Sequence, residues 1–366
     1  MAQSRTQALL DLALQIQQIP APTFAEERRA AFLRERFTAL SLESTQDEVG
    51  NLYVRLPGDA SLPPVVLSAH LDTVFPAHTP LDATRTPERI TAPGIGDNSL
   101  ALAVLVHVAE AVLDGRLPVR GDLWLVANVC EEGLGNLRGM QAVVERFGSQ
   151  PLAYIILEGM ALGIVYHRGL GVQRFRITAQ TPGGHSWANY GRPSAIHELA
   201  RLAAQLDALA LPQSPRTSLN VGVFQGGMSV NTIAAQAVME VDTRSESAEM
   251  LAWLGKQINL LASRANRQNV RITVENIGLR PSGAISANHP LVKLAQQCLL
   301  EQGITPKLLT GSTDANIPLS YGYPAIGIGV TYGGNAHTLE EYIECPPLEK
   351  GVAQLESLLQ RVWELV

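Results

Sequence analysis

Three short stretches of this chain are apolar on both faces a strand would present, broken only by Ser68 and Asn128: residues 65–69 (VVLSA), 123–130 (LWLVANVC) and 153–157 (AYIIL). Strict alternation would mark a strand with one wet face. Continuous short apolar runs suit strands buried on both faces, as in a mostly parallel sheet covered by helices. Helical patterns separate these runs. The same texture returns after about residue 281, with a helix over residues 291–302 stopped by Gly303, a strand at 325–330 and a last helix from about Leu348. The expectation is an α/β fold with a mostly parallel sheet flanked by helices.

The middle of the chain differs. Phe175, Ile177 and Ala179 alternate with Arg174, Arg176 and Thr178, as in a half-exposed strand. Ile196, Leu199, Leu202, Leu206 and Leu209 follow at helical spacing. Two more alternating runs, a helix over residues 248–265 and a strand at 270–274 complete the order β-α-β-β-α-β, a ferredoxin-like α+β pattern. The chain's 366 residues leave room for about two domains. The expected division is a main domain of residues 1–167 and 281–366, with an inserted domain of residues 168–280.

The apolar runs end in ligand-type side chains. His70 closes the first, with Asp72 two residues on; Glu131 and Glu132 close the second, and Glu158 the third. Residues 325–330 lead through TYGGN to His337, and the loop GIGDN carries Asp97 just before a helix. In open α/β sheets, ligands bind beyond the carboxyl ends of the strands. Each residue alone has an ordinary reading, as a structural histidine, a solvated helix start or a turn. Their concurrence at one edge does not. A run as apolar as LWLVANVC should not end in two adjacent acids unless a cation meets them there. Imidazole and carboxylate ligands suit Zn²⁺, and a two-metal site needs a bridging carboxylate. Two histidines and three acids, one shared, give each metal three ligands. That leaves Glu131 beside Glu132, placed to take a proton from water.

The segments SAHLDTV, GIGDN, CEEGLGN, LEG, TPGGHS, NTIAAQAVMEVDTR and GGNAHTLEEYI run in order over most of the chain. In these it resembles the zinc-dependent family of aminoacylase, glutamate carboxypeptidase, succinyl-diaminopimelate desuccinylase and peptidase T. The resemblance implies that His70, Asp97 and Glu158 hold one divalent metal, and Asp97, Glu132 and His337 a second. The metals would be zinc, with cobalt or manganese as alternatives. It makes Asp72 the group that orients His70, Glu131 the general base, and the Asp97–Asn98 peptide cis. The inserted domain becomes a lid and dimerisation domain. His185 would serve the reacting carbonyl from a partner subunit in a homodimer, helped by Asn231, and Arg244 would bind a substrate carboxylate. Local readings stand beside these: His185 as a loop cap, Asn231 as a turn residue, Arg244 in an ion pair with Asp242 or Glu246. Cys130 departs from the family pattern, in which an acid or small polar residue is common; its apolar run marks it as a buried, inert thiol. His78, His107, His167, His197 and His289 are read as structural.

The implied activity is hydrolysis of a terminal amide bond in a short peptide, with an N-acyl or N-carbamoyl amino acid as the alternative substrate. A metal-free binding homologue is the rival from another class; the complete ligand set argues against it. A nucleotide-binding protein is disfavoured because APGIGDNS lacks GxGxxG. The net charge of −6 gives no basic surplus for nucleic acid. The three cysteines are widely spaced and form no CxxC, which fits a reducing cytoplasm. The N-terminal 20 residues read as an amphipathic helix with polar residues, not a signal peptide. The longest apolar run, residues 100–113, contains His107 and Glu110 and falls short of a membrane span.

Overall fold

The computed structural model describes residues 5–366. The N-terminal helix spans Arg5–Gln17, and residues 1–4 of the expected helix lie outside the described residues. The chain divides into two compact units, one of residues up to 169 and from 284 onward, the other Leu170–Gly283.

The larger unit is built on one sheet. Seven of its nine strands run in the order Ser44–Gln46, Leu52–Leu56, Leu123–Asn128, Val65–His70, Ala153–Glu158, Ala325–Gly329, Ile164–Gly169, and Lys307–Gly311 pairs in parallel with the last of these. The central members are parallel: Val65–His70 pairs in parallel with both Leu123–Asn128 and Ala153–Glu158, and Ala153–Glu158 with Ala325–Gly329. Val65–His70 is buried at every position, which is why its sequence shows no alternation. The 123–130 run is longer than its strand. The strand stops at Asn128, and Cys130 takes a positive φ of 59°, turning the chain away from the sheet.

The helix Leu100–Leu113 packs against the sheet and under Arg5–Gln17. Counted with the turn before it, the stretch Ile95–Leu113 has 19 residues and holds an 18-residue window of mean hydropathy 1.4, enough to cross a membrane by length and composition. The sequence run alone understated that length. However, 83% of the hydrophobic window is buried inside the protein, as expected of a core helix touched on all sides. Truncating Leu102 or Leu105, both 0% exposed, would cost roughly 2–5 kcal/mol through lost transfer energy and an unfilled cavity.

The smaller unit is a four-stranded antiparallel sheet in the order Thr217–Gly226, Gln236–Ser245, Gly171–Gln180, Arg271–Arg280. The helices Ala195–Asp207 and Ala248–Ala265 pack on it. Phe175, Ile177, Met239 and Val241 face a core shared with Leu199, Leu202 and Ile258. On the other face Arg174 pairs with Asp242, and Arg176 with Glu240 and Glu275, across adjacent strands. Alternation in sequence has become one apolar and one ionic face.

Candidate metal centre

Because Leu123–Asn128, Val65–His70 and Ala153–Glu158 are adjacent and parallel, their carboxyl ends share one edge. His70 is the last residue of its strand and Glu158 the last of its own. Glu131 and Glu132 follow just after the turn at Cys130. Gly329 is in register with Glu158, so the segment leading to His337 starts at the same edge.

The carboxylate of Asp97 stands between two imidazoles. Its Oδ1 lies 3.0 Å from His70 Nε2 and its Oδ2 3.2 Å from His337 Nε2. Glu158 Oε2 is 4.0 Å from His70 Nε2, and Glu132 Oε1 is 3.3 Å from His337 Nε2. Ligand-type atoms of His70, Asp97 and Glu158 therefore converge within 4.8 Å, as do those of Asp97, Glu132 and His337. A third such group joins His70, Glu131 and Glu132.

The electrostatics show what this cluster attracts. Burial pushes the Glu158 carboxyl up to about 8; Asp97, Asp314 and Glu132 add to the rise while His70 opposes it. Hydrogen bonds to Asp97 and Glu132 raise His337 to about 10. Burial opposes charge on His70, yet Asp72 and Asp97 outweigh it and hold the imidazole well above its usual value. Asp97 is half-buried, and desolvation disfavours its charge, but His337 and His70 keep its carboxyl below the usual range. Carboxylates crowded at low exposure favour a neighbouring cation. The donor set is imidazole nitrogen and carboxylate oxygen, which fits zinc-type ions.

Supporting residues fix these side chains. His70 Nδ1 lies 3.0 Å from the main-chain carbonyl of Asp72, which can only accept, so Nδ1 carries the proton and Nε2 faces the carboxylates. The Asp72 side chain is 3.6 Å from that nitrogen. Its oxygens accept the backbone N–H groups of Glu131 and Glu132, each at 2.9 Å, and the Thr23 hydroxyl at 2.8 Å. Asn98 binds both chain neighbours of Glu158, donating to the Leu157 carbonyl and accepting from the Gly159 N–H. The Asp97–Asn98 peptide is cis. Gly159 packs so closely on this loop that a Cβ would lie 2.2 Å from the Gly96 carbonyl oxygen.

Several further supports carry no signature in the sequence. Arg29, 2% exposed, donates to the Leu71 and Ile19 carbonyls. Glu26 accepts the Cys130 N–H. Glu341 lies inside a motif already singled out, but nothing in HTLEEYI separates it from Glu340, which is exposed. Cys130 is buried, and burial with nearby Glu26 and Asp72 pushes its thiol up to about 12, as an inert cysteine requires.

The inserted unit's candidates all have local partners. His185 is exposed on the short strand Gly184–His185, which pairs with Thr232–Ile233, and its Nδ1 accepts from Trp187 N–H at 3.2 Å. Asn231 is exposed and accepts from Ser229 Oγ at 2.7 Å. Arg244 Nε donates to Asp242 at 2.8 Å, the ion pair expected of its ordinary reading. Among the other histidines, His289 caps the helix Pro290–Glu301 through Nδ1, and His107 pairs with Glu356.

The family model for peptidase family M20/M25/M40 matches residues 66–361. The chain belongs to this family. Among curated relatives of this M20 chain, the cytosol non-specific dipeptidase of Escherichia coli is 27% identical over 288 residues, 69% of this chain and 57% of that one. A probable carboxypeptidase of Arthroderma otae is 28% identical over 255 residues, 63% of this chain and 54% of that one. The M20 chain thus spans about half the length of the curated relatives it matches. A Staphylococcus aureus tripeptidase structure superposes with a TM-score of 0.83 at 22% identity, covering 99% of this chain and 100% of that one. A Bacillus subtilis M20 peptidase described as dinuclear metal binding gives 0.71 at 15% identity, covering 99% of each. At such identities the structures establish the M20 fold, an α/β sheet domain carrying a smaller α+β unit.

Proposed function

We propose that this chain is a metal-dependent peptide hydrolase that cleaves a terminal amide bond of a short peptide. The observation that carries the reading is Asp97, whose two oxygens each face a different histidine. A carboxylate so placed suits a bridge between two ions about 3.5–4 Å apart. His70, Asp97 and Glu158 would hold one, and Asp97, Glu132 and His337 the other. Zinc is the metal we propose, because the donors are imidazole and carboxylate. When bound, such ions polarise a carbonyl and lower the pKa of water. Glu131, 5% exposed and grouped with His70 and Glu132, would accept the proton of the attacking water and pass it to the leaving nitrogen. Asp72 holds the main chain of Glu131 and Glu132 together, so base and ligand keep a fixed offset.

We extend the proposal to the inserted unit as a lid and dimerisation domain, residues 168–280, in a cytoplasmic homodimer. His185 would serve the partner's site, with Asn231 beside it and Arg244 reading the substrate's carboxylate. Nucleic acid and membranes are not among the partners proposed. The dipeptidase and carboxypeptidase names among the relatives support peptide substrates. An N-acyl or N-carbamoyl amino acid is the second reading, since the same site attacks any amide. The test is a panel of dipeptides, tripeptides and N-acyl amino acids, each assayed after chelation and after return of Zn²⁺, Co²⁺ or Mn²⁺. Metal-restored cleavage of peptides is expected. Cleavage confined to N-acyl amino acids would move the assignment to the second reading, and activity indifferent to chelation would reject both.

A further inference from the structure

We infer that Glu341 is a positioning residue for the metal centre, acting through Asp97; the inference rests on the two-metal reading above. The carboxylate that stands between His70 and His337 is carried by a loop, not by a strand. That loop runs from Gly94, in the left-handed region at φ 71°, through a single wide turn over Ile95–Ser99 in which Asp97 and Asn98 leave helical geometry. Nothing in a turn of this kind fixes a side chain within the few tenths of an ångström that a shared ligand requires.

Asn98 ties the far side of this turn to the chain around Glu158, and Glu341 supplies the constraint on Asp97 itself. Glu341 is 0% exposed and comes four residues after His337. It immediately precedes the short strand Tyr342–Glu344, which pairs with Arg89–Thr91 directly before the loop. Its main-chain carbonyl accepts the Ala92 N–H at 2.9 Å. Its side-chain Oε1 then accepts two further amides of the same loop, Gly96 at 2.7 Å and Asp97 itself at 2.9 Å. One residue thus holds the approach to the loop at Ala92 and its middle at Gly96 and Asp97, and the last of these bonds is to the very residue whose side chain lies between the histidines. The same segment carries His337, so Asp97 and one of its facing imidazoles are tied to a common strand.

The other oxygen, Oε2, is buried and accepts no hydrogen bond from the described residues. A buried carboxylate with an idle oxygen is a poor stabiliser, because burial penalises charge and only part of the acceptor capacity is used. A glutamine would meet the same two amides through one carbonyl oxygen without burying a charge, though its NH2 group takes the place of Oε2. What the position requires is therefore an acceptor at this reach, which is a geometric demand on the loop and not a demand for charge.

The test is metal titration of the purified full chain, with affinities for the first and second Zn²⁺ read by competition with a chromophoric chelator. Melting of the chelated protein is measured alongside. Glu341→Ala leaves both amides without their acceptor and should weaken both ions by about tenfold or more, the scale at which partners of metal ligands act. Glu341→Gln should restore both affinities to within about threefold. If the alanine variant does not fold, Glu341→Asp serves, since it keeps the charge but withdraws it by one methylene; it too should lose affinity for both ions. Native affinity for both ions in the alanine or aspartate variant would overturn the inference, as would failure of glutamine to rescue. A loss confined to one ion would overturn the placement through a shared Asp97. If the unsubstituted chain takes up only one ion, the two-metal reading fails, and the role of Glu341 is still decided by that ion's affinity.

Discussion

Asp72 Oδ1 accepts the backbone N–H of Glu131 at 2.9 Å, while its Oδ2 does the same for Glu132. The acid two residues after His70 therefore governs the neighbouring strand's end as much as the histidine. Asp72→Asn turns one of two facing acceptors into a donor. It should lower stability by roughly 1–3 kcal/mol, the cost of a buried amide left without a partner. Turnover should fall at least about tenfold, because the proposed base moves with its backbone. Thermal melting and kcat measured together check this; unchanged values in both would reject the clamp.

Asp97→Ala should release both metals, whereas His337→Ala should mainly weaken one. Elemental analysis after gel filtration reads the stoichiometry. Full metal content in the Asp97 variant would reject the shared ligand.

Glu131→Gln is nearly isosteric and cannot take up the proton. It should retain both metals and lose at least ~100-fold in kcat, the low end for general base catalysis. Glu132→Gln, next to it, should instead lower metal content. Near-normal turnover in the Glu131 variant would remove it from the mechanism.

His185→Ala and Glu131→Gln chains, each inactive alone, should recover part of their activity when mixed, if His185 serves the partner subunit's site. Heterodimers are verified by mass. Absence of complementation in such heterodimers would place His185 outside a role across the interface.

Arg244→Ala should change stability by less than about 1 kcal/mol, because its partner Asp242 is shared with Arg174 and the pair is partly exposed. If Arg244 reads the substrate, kcat/KM should fall by roughly 2–3 kcal/mol for substrates with a free carboxylate and little for their C-terminal amides. Equal losses on both would assign it to the ion-pair ladder alone.

The strands of this chain were legible because hydrophobic periodicity is local. Residues 65–69 and 153–157 are almost wholly apolar, and both strands are buried; Gly171–Gln180 and Gln236–Ser245 alternate, and their sheet has one apolar and one ionic face. The convergence of His70, Glu132, Glu158 and His337 on one edge was also foreseeable, since parallel neighbouring strands must end together. What a sequence does not encode locally is which backbone amides a distant carboxylate will meet. Asp72 reaches across to Glu131, and Glu341 reaches back some 245 residues to Gly96. Glu340 and Glu341 are indistinguishable in composition and spacing. Only the pairing of Tyr342–Glu344 with Arg89–Thr91 turns one outward and seats the other, 0% exposed, under the Asp97 loop. Local residue patterns specified the elements and the chemistry of their ends. The orientation of each ligand was decided by the tertiary structure, because hydrogen bonds to main-chain amides depend on position and carry no residue signature.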